Sequence, residues 1–136
     1  MIQIFSVFPS LFFLSPLAAT LLRIAAAYAF LYVANSLIQD RRKITRERFP
    51  IVGQMNEWMV WTSALVTIAV GILLATGLYT QVAAIVGMII ALKHGIFAHK
   101  YSSIIPLSRG TYALLFVICA SLLVTGAGAI AFDLPL

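Results

Sequence analysis

The sequence predicts an all-α fold: a four-helix bundle integral to a membrane, with a short N-terminal segment lying along the membrane interface. Three observations carry that expectation: the composition, four apolar segments of spanning length, and positive charge gathered on one side. Of 136 residues, 62% are hydrophobic and only 10% are charged. Soluble domains sit nearer half apolar and a quarter charged. A soluble fold this small has too much surface for its volume to hide so many apolar side chains. Several segments therefore face lipid, within the one domain, residues 1–136, expected at this length.

Residues 1–15, "MIQIFSVFPSLFFLS", are apolar but interrupted by Pro9. They lack the positive start and small-residue cleavage site of a secretory signal, and read as the retained interfacial segment. A helix needs about 20 mainly apolar residues to cross the hydrocarbon layer. Four segments qualify, at about 16–38, 56–77, 80–98 and 109–130. Gly, Pro or charge bounds each one, and a helix satisfies its own backbone in lipid.

The first connection, "IQDRRKITRERFP", holds five of the nine positive charges: Arg41, Arg42, Lys43, Arg46 and Arg48. The third connection carries Lys100 and leads into Arg109, whereas the second, "GLYTQ", has no charge. Four spans put the first and third connections on one side, which the positive-inside rule assigns to the cytoplasm. Both termini are then external, in a multi-pass protein of a prokaryotic cytoplasmic membrane. The basic run is a topology anchor, with contact to anionic lipid head groups as a second role, diluted by Asp40 and Glu47. It has no aromatic residue among its bases before Phe49 and no nucleic-acid fold around it, which argues against nucleic acid as a partner.

Ala83, Gly87, Ala91 and Gly95 recur every fourth residue of the third span. That spacing puts them on one helix face, where small side chains admit a close neighbour. "LLATG" and "LLVTG", at Leu73–Gly77 and Leu122–Gly126, hint at pseudo-repetition of the second and fourth spans.

Charges within a span pair or face a cavity, because each costs at least about 2.5 kcal/mol near the bilayer centre. Arg23 lies seven residues into the first span, and Asp133 is the acid expected on the same side. An Arg23–Asp133 pair at the outer end is predicted. At the inner end Glu57, Lys93 and His94 share a depth, which predicts Glu57 within reach of Lys93 or His94; Lys93 snorkelling to the surface is the alternative. Thr62, Ser63 and Thr67 form a hydroxyl cluster, and such groups commonly bond their own helix carbonyls.

One cysteine, Cys119, rules out an internal disulfide and a thiolate cage. His94 and His99 are five residues apart and do not share a face as i, i+4 ligands do. The sequence gives no metal set, and no catalytic nucleophile–base set.

The chain resembles the DoxX-like membrane proteins. The early Arg in "LLRIAAAYAFLY" is similar to theirs. "GILLATGLYTQVAAIVG" looks like the signature G-x-L-L-x-x-G-L-x-T-[RQ]-x-A-A, and "LLVTGAGAIAFDLPL" like a G-x-G-x-x-x-x-D ending. The likeness extends over about 16–136. Many relatives have Glu four residues before the first Gly of the signature, where this chain has Thr67. The resemblance implies the four-span fold. It also implies two functional readings, since some members resemble subunits of a thiosulfate:quinone oxidoreductase. The first is a subunit or scaffold of a membrane assembly, with lipids and either a protein partner or further copies of itself around it. The second is an oxidoreductase subunit binding a quinone between helices; a small transporter ranks third. No cofactor ligand is evident in the sequence, so a quinone is the cofactor to test.

Overall fold

A computed structural model of the chain describes residues 15–46, 48–49, 53–54, 56–98, 101 and 104–126. Helix α1 covers Ser15–Gln39, α2 Arg41–Arg46, α3 Glu57–Thr76, α4 Thr80–Phe97 and α5 Arg109–Thr125. Strands β1 (Arg48–Phe49) and β2 (Gly53–Gln54) pair antiparallel between α2 and α3. Three helices, α1, α3 and α4, are long and apolar enough to cross a membrane, and α5 is a shorter apolar helix of 17 residues.

Local chemistry sets the boundaries. Asn56 opens α3, its side chain accepting the Glu57 N–H at 2.9 Å, which satisfies one of the bare donors of a helix start. Glu57 then places an acid in the first turn, favourable against the helix dipole. Gly77 closes α3 at φ +73°, a left-handed conformation that glycine adopts without strain. The chain reverses within Gly77–Tyr79 and enters α4. Ser108 opens α5 by accepting the Thr111 N–H at 3.3 Å.

The helices pack most extensively as two pairs, α1 with α3 and α4 with α5, and less so across α3–α4 and α1–α5. Phe30, Val33, Leu74, Ala84, Cys119 and Leu122 are among the buried side chains at the centre. Leu21, Tyr28, Leu65, Ile89, Leu114 and Val117 point outward and are exposed. A protein apolar on both its inside and its outside has lipid as its outer solvent. Helix α3, at 20 residues, is about 30 Å long, the thickness of the hydrocarbon layer. Trp58 and Trp61 stand exposed near one end of it and Tyr79 just past the other, the pattern of side chains that prefer the lipid–water boundary.

The small-residue stripe of α4 faces the interior. A methyl group at Gly87 would lie 3.1 Å from both Cys119 Sγ and Phe30, and one at Gly95 3.3 Å from Tyr112 Cβ. Ala83 and Ala91 are buried beside them. On the other pair, Gly71 lets α1 approach α3 so closely that a Cβ there would meet Leu31 at 2.8 Å.

Two expectations need correction. The basic connection folds: α2 seats Ile44 in the core, β1–β2 follows, and the Tyr101 hydroxyl donates to the Arg48 carbonyl at 2.9 Å. The two-residue strands thus add a small β element to an otherwise helical chain. The fourth helix stops at Thr125 instead of about residue 130, because Gly126 leaves helical geometry at φ +76°. The interfacial segment expected at 1–15 lies almost wholly outside the described residues, and Asp133 lies outside them altogether.

Candidate functional site

The ends of α1 and α4, the starts of α3 and α5, and the folded cap meet at one end, called here the basic end. Arg41 in α2 carries its Nε to 3.3 Å from Glu57 Oε1, and its guanidinium stacks 5.5 Å over the Trp61 ring. Both partners are substantially exposed, so the ion pair contributes on the order of 0–1 kcal/mol. Lys43 pairs with Asp40 at 2.7 Å within the same segment. Arg42, Arg46 and Arg48 are exposed.

The expected partnership of Glu57 with Lys93 or His94 is therefore replaced. Glu57 takes Arg41, because α2 folds back over the start of α3. Lys93 donates to Ser63 Oγ at 3.3 Å. The buried His94 holds Nδ1 at 2.9 Å from the Ile90 carbonyl. A carbonyl only accepts, so Nδ1 carries the proton. Its ring stacks on Tyr112 of α5, centroids 5.5 Å apart and planes 20° from parallel.

Ser63, Lys93 and His94 line a cavity of about 90 Å³ otherwise walled by apolar side chains: Leu37, Ile44, Val60, Phe97, Ile104, Ile105 and Pro106. Helices α1 to α4 and the segment before α5 each contribute a wall, and Tyr112 of α5 stacks on His94. The cavity can hold a small, largely apolar group bearing an oxygen that accepts from Lys93 or Ser63. The sequence showed Lys93 and His94 but not their neighbours. Ser63 looked like one more helix-bonded hydroxyl, as Thr62 and Thr67 are, donating to Trp58 at 2.9 Å and Ser63 at 2.8 Å. Tyr112 carried no signal beyond being one of two aromatics, with Phe116, in an apolar run.

Arg23 is buried in α1, at 2% exposure, and its proposed partner Asp133 lies outside the described residues. Thr67 is wholly buried in α3. No group of three potential metal-ligating side chains occurs among the described residues.

Long apolar helices with apolar outer faces, reversing between aromatic boundaries, define a multi-pass membrane protein in contact with lipid. The DoxX family matches residues 18–100, well over half of the chain, and the chain belongs to that family. The match takes in α1 to α4 and the signature around Gly71–Ala84, and ends before α5. No curated protein and no solved structure matches the chain.

Proposed function

We propose that this DoxX-family protein crosses the membrane four times with its basic end in the cytoplasm, and serves as a small subunit that docks a larger assembly to the membrane. The observation that supports this is the folded cap. A topology anchor needs charge but no fixed shape. Here Ile44 pins α2 to the core and Tyr101 holds β1, so Arg42, Lys43, Arg46 and Arg48 are presented on a defined surface. Such a surface suits an acidic partner, whose encounter it would steer and orient.

The test is purification in mild detergent followed by mass spectrometry of whatever co-purifies. A stoichiometric protein partner is expected with the natural chain, and its loss with a triple charge reversal, Arg42→Glu, Lys43→Glu, Arg46→Glu. A partner retained in full by the triple variant, or none with the natural chain, overturns the reading.

A second reading rests on the cavity. Lys93 and Ser63 could hold a quinone carbonyl at its polar edge. Its volume of about 90 Å³ is below the roughly 150 Å³ of an engineered cavity that admits benzene. A quinone ring would thus need Phe97 or Lys93 to swing aside, and the docking reading stands first. Quinone in the organic extract of the pure protein, lost on Lys93→Met, would reverse that order.

A further inference from the structure

Along the lipid-facing side of the α4–α5 seam runs a groove of about 270 Å³, separate from the cavity above. Ala91 and Gly95 on α4 and Ala113, Phe116 and Val117 on α5 line it, together with Arg109 at the start of α5. From Arg109 to Val117 the groove follows eight residues of helix, about 12 Å. In a bilayer such a furrow must be filled, because lining atoms without neighbours lose their dispersion contacts.

Arg109 is in an unfavourable place for a cation. It is the first residue of α5, where the helix dipole favours negative charge. Arg41 and Lys43 have carboxylates within 4 Å; among the described residues no such ion pair occurs for Arg109. It is exposed and lies at the same end as the cap, hence at head-group depth. An apolar furrow leading to a cation at that depth matches a molecule with a long apolar chain and an anionic head. A second copy of the chain would bring another Arg109 towards the first, which disfavours that occupant.

We propose that this groove is a binding site for one anionic phospholipid, its acyl chain laid along α4–α5 and its phosphate held by the Arg109 guanidinium. Charge-assisted bonds from an arginine fork suit phosphate oxygens. The site is independent of the docking role of the cap.

Native mass spectrometry of the protein in neutral detergent, titrated with phosphatidylglycerol or phosphatidylcholine, tests it. The natural chain is expected to retain one phosphatidylglycerol in preference to phosphatidylcholine. Arg109→Gln should weaken phosphatidylglycerol by about fivefold, the factor one basic side chain supplies beside an anionic surface, and leave phosphatidylcholine unchanged. Ala113→Leu fills the groove from an exposed position and should weaken both lipids alike; Val117→Phe does the same should Ala113→Leu fail to fold. Undiminished phosphatidylglycerol preference in Arg109→Gln overturns the proposal. So does unchanged lipid retention in the groove-filling variants, or a dimer that those variants dissolve, which would make a second copy the occupant.

Discussion

The two ends of this protein are made from the same helices, yet they differ in almost every chemical respect. Among the described residues the far end has a tight, uncharged reversal at Gly77–Tyr79, with the Gly77 and Leu78 N–H groups both bonded to the Leu73 carbonyl at 2.9 and 3.2 Å. The basic end has a folded cap, a cavity edged by Ser63, Lys93 and His94, and Arg109 at the mouth of a groove. One end need only turn the chain back into lipid, and backbone bonds suffice. The other gathers the cations of the cap, the polar edge of the cavity and Arg109. Binding and stability should therefore be most sensitive to substitutions at the basic end, and nearly indifferent at the far one.

The largest effect is expected for Tyr112→Ala, which removes a ring buried to 1% exposure and stacked on His94. Aromatic-to-alanine changes in aqueous cores cost about 3–5 kcal/mol as a transfer and a cavity contribution. Between helices in lipid the transfer part shrinks, since the surroundings are apolar in either state. About 2–3 kcal/mol should remain, read as thermal stability in detergent. Leu78→Ala, at a half-exposed far-end position, should stay within about 0.5 kcal/mol. Equal losses from the two would break the contrast between the ends.

Ile44→Ala comes next, at about 2 kcal/mol, because Ile44 is the side chain that seats α2. Limited proteolysis within Arg41–Arg46 should speed up in the variant, and an unchanged rate would mean that the cap is held elsewhere. Lys93→Met keeps the apolar stem and removes the amine bonded to Ser63, for about 1 kcal/mol. Ser63→Ala should add little on top of it, since the two share one bond; full additivity would separate them. The smallest change belongs to Glu57→Gln, below about 1 kcal/mol and fading with added salt, as befits an exposed pair with Arg41. A loss larger than that of Lys93→Met would return Glu57 to the interior.

The helices were readable from the sequence because their signals are local. Asn56, Gly77 and Ser108 mark ends through their own side chains or backbone freedom, and the apolar runs between them have spanning length. The Ala83–Gly95 stripe was readable for the same reason, since four-residue spacing fixes a face whatever packs against it. The partners were not readable. Whether Lys93 meets Glu57 or Ser63 depends on the relative rotation and register of α3 and α4, which no short stretch encodes. Arg41 reached Glu57 only because "RRKITR" coils into one and a half turns around a single apolar anchor, Ile44, a pattern too brief to carry a period. The early end of α5 turned on one backbone conformation at Gly126.

That early end has a mechanical consequence. In the four-span arrangement proposed above, α5 supplies 17 helical residues, about 26 Å, beside roughly 30 Å for α3. Where those 17 residues alone face the hydrocarbon, the sheet of lipid would pinch in by a few ångströms along that flank and relax along the other. Thinning of this kind costs fractions of a kcal/mol per ångström, a small strain that decreases when two such flanks share one thinned patch. The molecule would then drift toward thin membrane and toward other short helices without any specific contact, drawn by the elasticity of the bilayer itself.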